Sequence, residues 1–190
     1  MKPKIATQTY VAFLRGINVG GHHKVPMADL KSELESLGFE KIITILNSGN
    51  ILFDTKTNSI ANIEERISTH LENYFGFPIP TIVRKAVAIN QLFKLDIFKA
   101  FVPTKDIRFY VSFLKHDKAF NQQLPWTSLD KSFIILAKKD KAIFSILDLS
   151  VSKTSKAMEV LEQYYGKEIT TRNWNTILRI IKKFSSSINT

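Results

Sequence analysis

From Thr9 to Val87 the apolar residues change period from 2 to 3.6 and back, and that alternation constrains the fold more than any other feature. Thr9 to Leu14 (TYVAFL) is rich in β-formers and reads as a strand. Arg15 to Val25 is a polar, glycine-bearing loop. Pro26 stands where a helix begins, a position that tolerates a missing N–H. Met27, Leu30, Leu34 and Leu37 follow at helical spacing until Gly38 stops them. Ile42 to Leu46 and Ile51 to Phe53 flank Asn47-Ser48-Gly49-Asn50, a turn signal, and read as a hairpin. A second helix is expected from about Asn58 to Phe75, with Ile60, Ile63, Ile67, Leu71 and Tyr74 on one face and Gly76 at its end. Pro78 and Pro80 bound it, and Thr81 to Val87 is a fourth strand. The order is βαββαβ, the ferredoxin-like arrangement.

The second half echoes the first only in pattern, and no close internal repeat is legible. Ala88 to Lys105, with a short helix, reads as the connection. Ile107 to Leu114 is a strand, and Asn121 to Leu129 is a loop or short helix containing Trp126. Phe133 to Ala137 and Ala142 to Leu147 make a hairpin around Lys138-Lys139-Asp140-Lys141. A helix from about Ser155 to Tyr165 ends at Gly166. A last helix, Arg172 to Phe184, is expected to bury Trp174, Ile177, Leu178, Ile181 and Phe184. The domain expectation is a ferredoxin-like unit over 1–96 and a related, basic α+β unit over 97–190, both with antiparallel sheets.

Charge sharpens that division. The net charge is +10. Residues 1–96 hold 11 Lys/Arg and 9 Asp/Glu, and residues 97–190 hold 16 and 8. A basic half favours an anionic partner, although basic residues also serve solubility alone. With no cysteine, disulfides, thiolate metal sites and cysteine nucleophiles are excluded. No run approaches the apolar length of a membrane span, and the basic Met1 to Lys4 segment precedes an apolar stretch too short for a signal peptide. The expected location is cytoplasmic, with no membrane partner.

Three polar motifs stand out. The first is Leu14-Arg15-Gly16-Ile17-Asn18-Val19-Gly20-Gly21-His22-His23-Lys24. Glycines let backbone N–H groups converge on an anion, and Arg15 and Lys24 supply charge. Gly16 and Gly21 have the spacing of P-loop glycines, but His22 stands where that loop needs lysine, and no Ser or Thr follows. A nucleotide-triphosphatase loop is therefore rejected, and a tight connection with positive-φ glycines is the plain alternative. The second motif is the Asn47–Asn50 turn, whose amides are able to read a ligand edge. The third is Thr170-Thr171-Arg172-Asn173-Trp174-Asn175-Thr176, read as a capped helix start with Arg172, Asn173 and Asn175 in its first turn. The four histidines lack metal-site spacing, and no cofactor is implied. His22 and His23 are candidates for acid–base work, His70 reads as a helix-surface residue, and Glu64-Glu65 as a solvated helix face.

The stretches YVAFLRGINVGGHHKVPMADLKSELESLGF, NSGNILF and TTRNWNTILRI resemble the bacterial family of the domain of unknown function 1697. The resemblance spans roughly Tyr10 to Ile181. It implies an α+β protein of two ferredoxin-like halves and no established activity.

From these readings Arg15, Asn18, Lys24, Asn47, Asn50, Arg172, Asn173 and Asn175 are expected to converge on one polar cleft between the halves. The expected role is a binding module for an anionic ligand, nucleic acid or a phosphorylated small molecule. The rival for the same residues is a structural hydrogen-bond network. A phosphate-handling or acid–base enzyme is the second function class, with Arg15 and Arg172 as anion clamps. A structural or protein-interaction role is the third. Strand aromatics Tyr10, Phe13, Phe53, Phe109 and Phe113 are candidate stacking rings of a nucleic-acid-binding sheet, with core placement the stronger reading for most of them.

Overall fold

Strand β1 (Gln8–Leu14) is the organising element of the first half, because two other strands bond to its two edges. The computed structural model describes residues 6–188; the Met1 to Lys4 segment and the last two residues of the polar tail lie outside the described residues. Helix α1 (Met27–Ser36), strands β2 (Glu40–Ile45) and β3 (Asn50–Thr55), helix α2 (Ile60–Phe75), strand β4 (Thr81–Lys85) and helix α3 (Ala86–Lys94) follow. The sheet order is β2-β3-β1-β4, antiparallel throughout, which is the ferredoxin-like topology.

Alternation along β1 sends Tyr10, Ala12 and Leu14 into a core with Leu30 and Leu34 of α1 and Ile63, Ile67 and Leu71 of α2. Each of the three α2 side chains is fully buried, worth about 1.5–3 kcal/mol apiece. Ser59 caps α2 by accepting from the Asn62 N–H at 3.3 Å, and Gly76 ends it at φ +78°. Tyr74, expected on that apolar face, is 52 % exposed, and its neighbour Phe75 packs against the core in that last turn. Glu64, expected on a solvated face beside Glu65, is buried, and its Oε1 accepts from the Val83 N–H at 2.8 Å. It thereby satisfies a backbone donor on β4, an edge strand. His70 does more than coat a helix: its Nε2 lies 2.7 Å from Glu33 of α1.

The second sheet comprises β5 (Ile107–Leu114), β6 (Trp126–Thr127), β7 (Phe133–Lys139), β8 (Ala142–Asp148) and β9 (Ile169–Asn173), in the order β6-β7-β8-β5-β9. Helix α4 (Thr154–Tyr165) lies between β8 and β9, and α5 (Trp174–Ile188) follows β9 without a linker. The inner order β7-β8-β5-β9 repeats that of the first sheet. Where α1 stands in the first half, residues 115–132 form a loop carrying only β6. Tyr110, Leu114, Phe133, Ile135, Leu161 and Tyr165 form the core on the α4 side. Phe98, Phe109, Phe144 and Trp174 form an aromatic cluster, with Phe98 and Phe109 stacked at 4.7 Å.

The central strands are a near repeat that pattern reading missed. Tyr10-Val11-Ala12-Phe13-Leu14 and Tyr110-Val111-Ser112-Phe113-Leu114 occupy the same slots. Val11 pairs with Arg84 just as Val111 pairs with Arg172. The chain divides into two units, one of residues up to Asn90 together with those from Arg179 on, the other Gln91–Leu178.

Candidate functional site

Two backbone bonds build the candidate end of the first sheet. The Leu14 N–H donates to the Gly49 carbonyl at 2.8 Å, and the Arg15 N–H to the Pro80 carbonyl at 2.9 Å. They bring the loop after β1, the β2–β3 turn and the chain entering β4 to one place.

The loop there is a miniature hairpin. Gly20 (φ +59°) and Gly21 (φ +78°) form its two-residue turn, closed by His22 N–H to Val19 C=O at 3.1 Å. Positive φ at both central residues is the hairpin-type turn that glycines favour, so the double glycine is accounted for by backbone geometry. Asn18 pins the hairpin to its surroundings. Its Nδ2 donates to the Val25 carbonyl (3.0 Å) and the Asn47 carbonyl (2.8 Å), while its Oδ1 accepts from the Val25 N–H (2.9 Å). Both amide hydrogens of Asn18 are therefore committed. Asn50 is fully buried and donates to the Ile45 carbonyl and to Ser48 Oγ, each at 3.0 Å, which sets the turn.

On this scaffold the hairpin holds out charge and imidazole. His22, His23 and Lys24 are exposed and Arg15 is half-buried. The His23 ring stacks on Phe77 at 4.4 Å and its Nδ1 lies 3.2 Å from the Gly16 carbonyl. A carbonyl only accepts, so Nδ1 carries the hydrogen and Nε2 is the acceptor of the neutral ring. Asn47 is exposed on the adjacent turn.

The remaining predicted site residues lie in the second unit. Arg172 is not in a helix: the β-branched run Ile169-Thr170-Thr171 makes a strand, β9, and Arg172 belongs to it. The α5 cap is consequently Asn173, whose Oδ1 accepts from the Asn175 N–H at 2.9 Å, and not Thr170 or Thr171. Arg172 is 9 % exposed and donates to Thr170 Oγ1 (2.8 Å) and the Thr171 carbonyl (2.9 Å). Burial pulls its guanidinium down to about 10, still charged at neutral pH. Arg84, in the matching slot of the first sheet, is lowered by burial too, against the opposing pull of Glu64, 3.8 Å away. Asn175 is exposed and Asn173 half-buried.

The strand aromatics follow the core reading. Tyr10, Phe13, Phe53 and Phe113 are at most 1 % exposed, and only Phe109 is half-buried. Leu178, expected in the core, is 37 % exposed, whereas Ile180 is buried in its place. Among the described residues no three His, Asp or Glu side chains gather as metal ligands, and no helix is long and apolar enough to cross a membrane.

A family model described as "Protein of unknown function (DUF1697)" matches residues 7–133, which takes in the hairpin loop and the Asn47–Asn50 turn but not β9 and the start of α5. Among solved structures, a conserved bacterial protein, SP0830 from Streptococcus pneumoniae, is similar at a TM-score of 0.70 and 26% identity, over 95% of this chain and 99% of that one. No curated protein matches the chain. Since the matched residues span well over half of the chain and include the motifs at the end of the first sheet, the chain belongs to the DUF1697 family of proteins of unknown function.

Proposed function

We propose that the protein is a binding module for a phosphate-bearing ligand, nucleic acid or a phosphorylated small molecule, with the hairpin end of the first unit as its main contact. The observation that carries this reading is a hairpin fixed at its base by Asn18 that holds His22, His23 and Lys24 in solvent. Fixed placement of donors lowers the ordering cost of binding. Arg15, Lys24 and Asn47 are the contact residues, and Asn18 and Asn50 hold them in position. In the second unit, Asn173 and Arg172 shape the start of α5, where Asn175 is exposed.

Calorimetric titration with pyrophosphate, a single-stranded RNA and a duplex DNA separates the two ligand sources. Lys24→Gln is expected to weaken the productive titrant about fivefold, the worth of ~1 kcal/mol for one exposed charge pair. Binding that Lys24→Gln and Arg15→Gln leave unchanged would remove the hairpin from the site.

A phosphate-handling acid–base enzyme is the second reading, favoured by the His23 tautomer, which leaves Nε2 as a base. Hydrolysis of an aryl phosphate that is lost in His23→Gln would support it. No turnover by the intact protein would leave binding alone.

A further inference from the structure

The first-unit hairpin has a counterpart at the same end of the second sheet, built by the same two backbone bonds. Leu114 N–H donates to the Lys141 carbonyl at 2.8 Å, and Lys115 N–H to the Glu168 carbonyl at 3.0 Å. Three segments therefore meet: the chain leaving β5, the β7–β8 turn and the α4–β9 connection. They carry Lys115, Lys118, Lys138, Lys139, Lys141 and Lys167 against only Asp117, Asp140 and Glu168. Asp117 is taken by Lys138 at 2.5 Å, and that hydrogen bond holds its carboxyl below the usual range. Glu168 is shared by Lys115 at 3.3 Å and His116 at 3.6 Å. Among the described residues, Lys118 and Lys139 are exposed and make no ion pair or hydrogen bond through their side chains.

Aromatic rings accompany this charge on the loop after β5, on β6 and on α4. Phe120 follows Lys118 by two residues and packs on Tyr164 at 4.8 Å and on Tyr165 at 5.9 Å. Trp126 meets Tyr164 edge to face at 5.7 Å. Tyr164 and Tyr165 lead through Gly166 directly into Lys167. Phe120, Trp126 and Tyr164 are half-buried and pack at the margin of the α4-side core. This is the place where the second unit lacks a counterpart of α1, and the loop standing there supplies Phe120 and Trp126.

We propose that this lysine-rich, ring-bordered end of the second unit binds single-stranded nucleic acid. Lysines without partners neutralise phosphates and release counterions. Half-buried rings at the margin of the core are the candidates to stack on unpaired bases, worth about 1–3 kcal/mol per stacked base. A duplex keeps its base faces covered, and a lone phosphate has no use for the rings. The charge and the rings together select the single strand. None of these residues belongs to the first-unit hairpin, so the two sites stand or fall separately.

The test is a fluorescence-anisotropy titration of the full chain with labelled oligo(U) of about 12 nucleotides, within the span of known single-strand sites. Duplex DNA and vesicles of phosphatidylserine and phosphatidylcholine run in parallel. Single-strand binding is expected, with a salt slope that falls by about 1.4 in Lys118→Gln/Lys139→Gln, at ~0.7 per phosphate contact. Tyr164→Leu is expected to weaken binding about fivefold at unchanged slope, the low end of the stacking range. In a Trp174→Phe background, the emission of Trp126 is expected to quench on binding. Should that background or Tyr164→Leu fail to fold, the doubly substituted lysine variant still decides, since both side chains are exposed. No binding at low salt, equal affinity for duplex, or binding to vesicles alone overturns the proposal. So does binding that Lys24→Gln abolishes and the lysine double variant leaves intact; that result assigns the nucleic acid to the first-unit hairpin.

Discussion

Gly49 is the position where a single methyl group should cost most. Its φ is +73°, and a Cβ there would lie 2.7 Å from Leu14 Cβ and 2.9 Å from Ile17 Cδ1. Neither neighbour has room to give: Leu14 is 1 % exposed and Ile17 3 %. The left-handed conformation costs a residue with a Cβ about 1–2 kcal/mol. Overpacking a filled site adds about 1–3 kcal/mol. Gly49→Ala is thus expected to destabilise the first unit by about 2–5 kcal/mol. Gly21→Ala is the control, because Gly21 has φ +78° and open space around its Cβ position. It carries only the conformational part, about 1–2 kcal/mol. Urea unfolding must be followed by far-UV circular dichroism, since both tryptophans, Trp126 and Trp174, report on the second unit. With a slope of about 2 kcal/mol per molar urea, Gly49→Ala lowers the midpoint by about 1–2.5 M and Gly21→Ala by about 0.5–1 M. Equal midpoints for the two variants would refute the steric part of the argument.

Asn18→Gly keeps the positive φ of 55° available while removing three hydrogen bonds. It is expected to cost about 1–3 kcal/mol and to raise hydrogen exchange at Val25 above that of β1. Glu64→Leu strips the acceptor from the Val83 N–H and the carboxylate beside the Arg84 guanidinium, for about 3–5 kcal/mol, whereas Glu64→Gln keeps the acceptor and costs less. Asp130 accepts from Ser128 Oγ, Ser132 Oγ and Ser132 N–H, and its carboxyl is held far below the usual range, foremost by the Ser128 and Ser132 hydroxyls. A depressed folded-state value adds stability above the unfolded carboxylate range, lost as pH falls through it. The midpoint temperature of Asp130→Asn should therefore fall less steeply than that of the parent below about pH 4.

How much of this was legible in the sequence varies with the physical origin of each feature. The first four strands and two helices were readable, because Leu30, Leu34, Ile63, Ile67 and Leu71 bury one helical face each and β1 is a dense β-former run. Strand β9 was not, because Thr170 and Thr171 are equally good helix caps, and only pairing with β5 decides between the two roles. The burial of Glu64 was invisible for a similar reason: its carboxylate answers a bare N–H on an edge strand, a requirement set by sheet order and not by the helix it sits on. The hairpin in the first loop could have been read from Gly20-Gly21 as a two-residue turn, had the polar flanks not suggested an anion cradle. The lysine-rich end of the second unit carried its own signal in Lys138-Lys139-Asp140-Lys141, but the rings beside it come from distant segments that only the fold assembles.

The repeat of the central strands allows one substitution pair to be argued from the protein's own other half. Ala12 pairs across β1–β4 with Val83, and in the equivalent slot Ser112 pairs across β5–β9 with Thr171. The hydroxyls of that second pair meet at 2.7 Å. Ser112 is fully buried and Thr171 half-buried. Thr171→Val leaves a fully buried hydroxyl without its neighbour, for about 1–3 kcal/mol. Ser112→Ala strands a hydroxyl that water is able to reach in part, and should cost less, about 1 kcal/mol. The double variant Ser112→Ala/Thr171→Val installs the pair that the first sheet already uses. It is expected to fall within ~0.5 kcal/mol of the parent, since replacing both partners with apolar groups of similar shape is nearly neutral. A coupling energy of about 2–4 kcal/mol between the sites would then appear in a double-mutant cycle read by tryptophan fluorescence. Additive losses would mean that the two sheets, despite matching order and register, do not share an interchangeable packing slot.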